Sequence, residues 1–275
     1  YEIGWCDWSL DVCSSDLDAG VEKKRNTVEF EVVGDRALFS DPITRVGGEK
    51  TSYYVPTYEA LKGIISSVYW KPTFIWIIDA VRVMNPIQTA SEGIRTKNYN
   101  GGNDLSLYTY LRNVRYQVQA HFIWNENRPE LIQDRNENKH HNIAKRMIQR
   151  GGRRDVFLGT RECHGDVSPC SFGEGAGAFD DIEELAQGYM FHGITYPDEA
   201  ITEAEKGRMT LRFFRATMTR GVIEFPAPED IPDKDKRFLH KLKIKKFGES
   251  LSNFTGIAEF NGESESRLVD RKSVV

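Results

Sequence analysis

The most chemically suggestive cluster in this sequence is the run Lys139-His140-His141. A histidine has a reference pKa of about 6.5, so it can accept or donate a proton near neutral pH, and the adjacent lysine supplies a fixed positive charge. With a tyrosine as a further hydrogen-bond or proton donor, such groups could cleave RNA without a metal. They would deprotonate the ribose 2′-hydroxyl, stabilise the charged phosphorane and protonate the departing 5′-oxygen. A second interpretation is equally open, because a helical projection turns His140 toward an apolar stripe, where it could be a hydrogen-bonded core or edge residue.

A second feature is the basic block from Asn138 to Arg154, which contains no Asp or Glu. Concentrated Lys and Arg predict a phosphate-binding surface, and a solvated helix face is the alternative interpretation. In helical projection, several of these cations share one stripe with Lys139. The arginines predicted to bind RNA phosphates are Arg146, Arg150, Arg153 and Arg154.

A third basic feature lies near the C-terminus, where Lys241, Lys243 and Lys245 alternate with apolar residues. A period of two places the three lysines on one face of a predicted strand. They could bind RNA phosphates or protect an exposed sheet edge, and the pattern favours neither interpretation. Lys241 and Lys243 complete the candidate RNA-binding residues.

No metal site, cofactor site or disulfide is predicted. The remaining histidines stand singly without ligand spacing and are expected to be structural: they are His121, His164, His192 and His240. Isolated acids such as Asp79, Asp104 and Asp155 carry no signature of a two-metal nuclease. The four cysteines form no CxxC pair, so we expect reduced thiols.

The composition is that of a globular chain of 275 residues, with 39% apolar and 28% charged residues. A formal net charge of −4 argues against a uniformly basic surface, so nucleic-acid affinity must come from local clusters. No apolar stretch approaches the roughly 20 residues that a membrane helix needs. We therefore expect a cytoplasmic protein that does not contact the membrane.

Hydrophobic periodicity places strands and helices around these residues. Val28 to Val33 alternates as a half-buried strand does, and a helix begins near Thr57 and ends at Lys71-Pro72. Thr73 to Ile78 is predicted to be a central strand, which Val81 to Met84 continues or pairs with.

The next segments follow the same reasoning. Ile87 to Asp104 is rich in polar residues and Gly and is interpreted as a long loop, whereas Val114 to Trp124 alternates as a strand. A helix is expected from an N-cap at Asp134 to about Arg150. Further elements predicted are a strand near Val156 to Gly159 and a hairpin over Met209 to Phe225 with its turn at Arg220-Gly221.

The order of elements predicts an α+β fold with a ferredoxin-like (RRM-like) N-terminal domain and a smaller β-rich C-terminal part. Residues 1–23 have no clear period and resemble translated sequencing-adapter read-through, so they are expected to be non-native or disordered. The ferredoxin-like domain is assigned to 24–165, the β-rich region to 166–247 and a disordered tail to 248–275.

Long motifs in this sequence resemble the CRISPR-associated "Cas five" family of subtype I-C. The clearest lie between Val28 and Cys163, and the resemblance is looser from Gly165 to Phe247. They include GDRALFSDPITRVGGEK, VPTYEALKGI, YWKPTFIWIID, VRVMNPIQT, GGNDLSLYTYL, NENRPELIQDRNENKHHNIAKR and RGGRRDVFLGTREC. The resemblance implies that the YWKP and ENKHH motifs carry a catalytic trio, which falls on Tyr69, Lys139 and His140, with His141 as a rival to His140.

The resemblance further implies a metal-independent endoribonuclease that cuts CRISPR precursor RNA near the base of the repeat hairpin. The products would be a 5′-hydroxyl and a 2′,3′-cyclic phosphate. The protein would then remain bound to the guide RNA beside the backbone and large subunits of a type I-C Cascade, and would meet target DNA through that complex. Two alternatives are a noncatalytic scaffold that holds the 5′ handle of the guide RNA, and a magnesium-dependent nuclease acting on duplex DNA.

Overall fold

The structure is a computed structural model that describes residues 25–41, 49–97 and 100–241. It is a mixed α/β fold in which a mostly antiparallel sheet carries two helices. No helix among these residues is long and apolar enough to cross a membrane. The helices are α1 (Tyr58–Val68) and α2 (Glu137–Gln149), and the strands are β1 (Val28–Ala37), β2 (Lys50–Thr51), β3 (Phe74–Val83), β4 (Gln88–Lys97), β5 (Asn103–Trp124), β6 (Val156–Phe157), β7 (His164–Pro169), β8 (Leu185–Thr195), β9 (Arg208–Met218), β10 (Val222–Glu224) and β11 (Lys236–Lys241).

The larger sheet has the strand order β10-β3-β5-β1-β7-β6, and β2 and β4 add to the N-terminal half of β5. Helix α1 packs on β3, α2 packs on β1 and β7, and the two helices touch each other. Both helices therefore cover one face of the sheet and close the main apolar core. The apolar stripe predicted for α1 is confirmed, because Leu61, Ile64, Ile65 and Val68 are all buried.

The segment interpreted as a long loop, Ile87 to Asp104, is instead largely β-structure. Residues Gln88–Lys97 form β4 and pair with Asn103–Arg112 of β5, which gives an exposed β-hairpin arm. The loop prediction failed because β4 has no buried side chain and therefore shows no alternation of apolar and polar residues. The strand is stabilised by hydrogen bonds between its backbone and that of β5. Where the partner of β5 changes from β4 to β3, Asn113 adopts a left-handed conformation with φ 49°.

A second, three-stranded sheet has the order β11-β9-β8. The turn predicted at Arg220-Gly221 is confirmed, with φ values of 48° and 79° and a hydrogen bond from Thr219 N to Val222 O of 2.8 Å. The predicted hairpin is wrong beyond that turn, because β10 pairs with β3 rather than with β9. Both edges of β9 are already occupied by β8 and β11, so the turn carries the chain from one sheet to the other.

Candidate active site

Tyr69 lies immediately after the last residue of α1. It is the C-cap residue, in an extended conformation, and its N–H still donates to Ile65 O at 2.8 Å. Its carbonyl accepts a hydrogen bond from Trp76 Nε1 of β3 at 2.7 Å. These contacts turn the phenol away from the helix axis and toward α2, and leave the residue only 4% exposed.

His140 lies in the first turn of α2 and is fully buried. Its ring packs against Phe74, Phe122 and Trp124, with ring centroids 5.3, 6.3 and 5.9 Å away. The helical projection was therefore correct in turning His140 into the apolar interior. Burial does not separate it from Tyr69, because the Tyr69 Oη and His140 Nδ1 atoms are 2.8 Å apart.

The hydrogen bonds of His140 define which ring nitrogen carries the proton. Nε2 lies 2.8 Å from the main-chain carbonyl oxygen of Asp134, and a carbonyl can only accept. Nε2 is therefore the protonated nitrogen of the neutral ring, and Nδ1 accepts from the Tyr69 hydroxyl. In its neutral form the imidazole therefore presents an acceptor nitrogen to the Tyr69 hydroxyl.

Asp134 joins Lys139 to this pair and was not recognised as a site residue from the sequence. One carboxylate oxygen accepts from Lys139 Nζ at 2.5 Å, and the other accepts from Thr73 Oγ1 at 2.9 Å and lies 3.5 Å from His140 Nε2. The prediction that Asp134 caps α2 is wrong: Asn136 is the cap, and its side-chain oxygen accepts from Lys139 N at 3.0 Å. Asp134 belongs to a short 3₁₀ helix, Pro129–Asp134, and nothing in the residue spacing indicates how that turn aims its carboxylate.

Charge and burial set the protonation states in this cluster. Hydrogen bonds from Lys139 and Thr73 lower the pKa of Asp134, so its carboxylate is ionised at neutral pH. Burial, and then the Asp134 charge, raise the pKa of Tyr69, while Arg153 opposes this rise. Tyr69 therefore stays protonated until a base removes its proton, and His140 is the base in contact with it.

Lys139 is the member of the trio that is open to solvent, with 50% of its side chain exposed. It has a single carboxylate partner, Asp134, among the described residues. A cation in this position can exchange its ion pair for a phosphate oxygen at little cost, because exposed ion pairs contribute only about 0–1 kcal/mol. The structure thus brings together all three residues that the sequence motifs nominated.

The arginines of the basic block lie on the surface, in the last turn of α2 and in the residues that follow it. All four are exposed, and none forms a salt bridge within the described residues. Arg153 is tied closest to the trio, because its N–H donates to Val68 O at 3.3 Å, one residue before Tyr69. The four are Arg146, Arg150, Arg153 and Arg154.

The remaining candidates lie elsewhere. Lys241 is the last residue of β11, Lys243 lies outside the described residues, and their role in RNA binding stays a prediction. His141 points away from Tyr69, and its Nε2 lies 3.0 Å from Thr27 O. Burial and the nearby Lys145 charge lower the pKa of His141. Geometry therefore distinguishes His140 from its rival.

Two of the other histidines have structural surroundings. His121 pairs with Asp79 at 2.8 Å on the large sheet, and buried His192 stacks on Tyr58 with ring centroids 4.0 Å apart. Over residues 25–41, 49–97 and 100–241, no group of three or more His, Cys, Asp and Glu side chains is arranged to hold a metal ion.

Comparisons with known proteins agree on one family. Residues 27–226 match the family model described as CRISPR-associated protein (Cas_Cas5). The "CRISPR pre-crRNA endoribonuclease Cas5d" of Mannheimia succiniciproducens is 28% identical over 237 residues, which span 73% of this chain and 95% of that protein. The protein of the same name from Thermus thermophilus is 24% identical over 221 residues, spanning 73% of this chain and 91% of that one. A solved structure described as "Crystal Structure of CRISPR-associated Protein" is 38% identical and superposes with a TM-score of 0.63, covering 74% of this chain and 94% of that chain. The chain belongs to the CRISPR-associated Cas5 family.

Proposed function

We propose that this chain is a metal-independent endoribonuclease that cleaves CRISPR precursor RNA within the repeat hairpin, in the cytoplasm. The observation that carries the proposal is the hydrogen-bonded Tyr69–His140 pair, linked through Asp134 to the exposed Lys139. Two relatives that bear the name pre-crRNA endoribonuclease support the choice of substrate.

The reaction uses an internal nucleophile. The ribose 2′-hydroxyl donates its proton to Tyr69 Oη as the tyrosine proton moves to His140 Nδ1, and the 2′-oxygen attacks phosphorus. The bond from phosphorus to the 5′-oxygen breaks, which leaves a 2′,3′-cyclic phosphate and a 5′-oxygen that takes a proton from solvent. The imidazolium then returns its proton through Tyr69 to water, so protons balance over one turnover.

His140 acts through Tyr69 in this scheme, because its ring is fully buried and cannot touch RNA. The ionised carboxylate of Asp134, 3.5 Å from Nε2, stabilises the imidazolium that forms. Lys139 moves from Asp134 to the phosphate oxygens and stabilises the charge that develops there.

RNA is held mainly through its phosphates. Arg146, Arg150, Arg153 and Arg154 are exposed at the C-terminal end of α2 and just after it, and Arg153 links this basic surface to the residue before Tyr69. Such a surface is suited to backbone contacts that position the hairpin by shape. Lys241 and Lys243 are proposed as further phosphate contacts.

We also propose a ferredoxin-like domain over 24–165 and a β-rich region over 166–247. The strand order β3-β5-β1-β7, with α1 after β1 and α2 after β5, supports the first part. After cleavage the protein is proposed to stay on its product as a Cascade subunit, contacting the backbone and large subunits, with target DNA reached through the complex.

One observation favours a second candidate, a noncatalytic scaffold that holds the 5′ handle of the guide RNA. Tyr69 is 4% exposed and His140 is not exposed at all, so the RNA must reach a phenol that is almost covered. A cluster built only to join α1 to α2 would show the same burial.

The two functions are separated by incubating purified protein with cognate repeat RNA in EDTA, with end-group analysis of the products. The proposal expects undiminished cleavage, a 5′-hydroxyl end, and no cleavage when the single 2′-hydroxyl at the cut is removed. Cleavage that disappears on chelation rejects the metal-free mechanism, and RNA that is bound without cleavage favours the scaffold. His140→Ala should stop cleavage and preserve binding, whereas His141→Ala is the matched control that should keep both.

A further inference from the structure

The outer face of the three-stranded sheet carries two stacked aromatic rings, one exposed and one half-buried. Tyr189 of β8 and Phe213 of β9 lie with centroids 5.7 Å apart and planes inclined by only 10°. Tyr189 is 53% exposed, whereas Met190 and Phe214, the next residue on each strand, are buried against the core. The rings therefore face outward and leave an aromatic surface open to solvent.

The ring pair is fixed in place by its neighbours. Phe191 packs edge-on against Phe213, with centroids 5.9 Å apart. The Tyr189 hydroxyl donates to Asp235 at 2.9 Å, in the short turn that leads into β11. The surface therefore exists before any ligand arrives, which lowers the entropic cost of binding.

A cavity of about 460 Å³ adjoins the rings, which is the size of a small-ligand site. The Tyr189 and Phe213 rings and the side chains of Pro226 and Ile231 provide its apolar lining. Its charged residues are of both signs: Arg215, Lys234, Glu224, Asp230 and Asp235.

This combination matches a nucleotide better than an apolar ligand. Aromatic rings stack on the π-face of any base, carboxylates accept hydrogen bonds from exocyclic amino groups, and Arg and Lys contact phosphates. The carboxylates also argue against a surface that binds phosphate alone, since they would repel it. In a nucleotide whose base has an amino group, such as adenosine monophosphate, the amino group can donate to the carboxylates while the phosphate contacts Arg215 and Lys234.

We infer that this cavity binds an unpaired nucleotide of single-stranded RNA, with its base stacked on Tyr189 and its phosphate contacted by Arg215 and Lys234. The inference rests on the proposed function, in which a hairpin with single-stranded flanks is the substrate. It adds a binding site for the flank, separate from the site of cleavage.

The two sites lie toward opposite ends of α1. Tyr69 follows its last residue, and Tyr58, its first, stacks on His192 of β8. After His192, the N–H of Ile194 donates to Glu59 and Glu199 pairs with Lys62, so this part of the chain follows α1 in the direction of Tyr69. Tyr189 precedes His192 by three residues on β8. Because α1 alone is about 16 Å long, the nucleotide in this cavity is not the one that is cleaved.

The test measures binding of fluorescent oligo(adenosine) and oligo(uridine) by anisotropy, together with cleavage of a hairpin that lacks flanks. Tyr189→Leu keeps apolar bulk but removes the stacking ring, so affinity for oligo(adenosine) should fall about 5- to 150-fold. Tyr189→Phe keeps the ring and should bind nearly as the parent does. Oligo(uridine) should bind more weakly than oligo(adenosine), and hairpin cleavage should not change in either variant.

Unchanged affinity in Tyr189→Leu overturns the inference, and so does an equal loss in Tyr189→Phe, which would assign the effect to the Asp235 hydrogen bond. Parent protein that ignores oligo(adenosine) but cuts the hairpin also rejects this site and leaves the proposed function standing. Parent protein that binds oligo(adenosine) through Tyr189 but never cuts supports the site and rejects the nuclease.

Discussion

Replacing Tyr69 with phenylalanine removes one hydroxyl group and leaves the ring, the helix end and the RNA surface in place. That hydroxyl donates to His140 Nδ1 over 2.8 Å and is the only group of this chain proposed to touch the 2′-hydroxyl. Tyr69→Phe therefore separates chemistry from binding more cleanly than a truncation would.

The size of the effect follows from the contacts. Loss of the proton relay should slow single-turnover cleavage about 100- to 10,000-fold, which is the usual contribution of a positioned acid or base. Nδ1 of the buried His140 also loses its donor, so unfolding should become easier by about 1–3 kcal/mol. A domain of ordinary stability stays folded after that loss, and RNA affinity should remain at the parent value.

The assay is single-turnover cleavage of end-labelled repeat RNA, with denaturant unfolding and RNA binding measured on the same samples. Tyr53→Phe is the matched control, because it removes a phenol hydroxyl that contacts Asp41 at 3.2 Å and accepts from Phe191 N at 3.3 Å, and takes no part in the relay. Parent-like cleavage by Tyr69→Phe, with parent-like folding, would refute the relay through His140. An equal fall in Tyr53→Phe would show that the loss is not specific to the site.

Further predictions concern the charges around the relay. Lys139→Ala should slow cleavage about 100- to 1,000-fold, as the loss of one oxyanion contact does, and should weaken RNA binding by a smaller factor. Equal factors for the cleavage rate and the RNA affinity would assign Lys139 to binding alone. The Asp134 pKa is lowered in the folded state, so its stabilising contribution is full above the unfolded value of about 3.9 and is lost as pH falls through the folded value. The difference in thermal midpoint between the parent and Asp134→Asn should therefore narrow as the pH is lowered below about 4, and a constant difference contradicts the ion pairing. Arg150→Ala should flatten the dependence of log affinity on log salt by roughly 0.7–1 per lost phosphate contact, whereas Lys206→Ala, which removes an exposed lysine paired with Glu203, should leave the slope unchanged.

Local patterns in the sequence were sufficient to predict the elements that position the site. The apolar stripe of α1 and the glycines after α2 predicted the bounds of both helices to within a few residues. Both patterns are local, because each depends only on residues within a few helical turns. The alternation from Val114 to Trp124 likewise predicted the second half of β5. Tyr69 and His140, 71 positions apart, were paired through the family resemblance, because periodicity carries no information on which elements meet.

The failures also have physical causes. β4 has no fully buried side chain, so hydrogen bonding to β5 stabilises it where the sequence shows no clear hydrophobic alternation. β10 leaves its expected partner because the edges of β9 are already paired. Asp134 lies in a 3₁₀ turn that places its carboxylate beside Lys139 and His140. It was predicted to be the N-cap of α2 because it lies only two residues before Asn136, which is the N-cap in the structure.

The left-handed residue within β5 has a consequence for how this protein can diverge. Hydrogen bonding to β4 ends at Arg112 and pairing with β3 begins at Tyr116, with Asn113 between them. Trp124, whose ring packs on His140, lies at the far end of the second ladder. Insertions or deletions of equal length in β4 and in the first part of β5 therefore change the length of the hairpin arm without shifting the imidazole of His140. The length of the arm and the geometry of the Tyr69–His140 pair can thus vary independently.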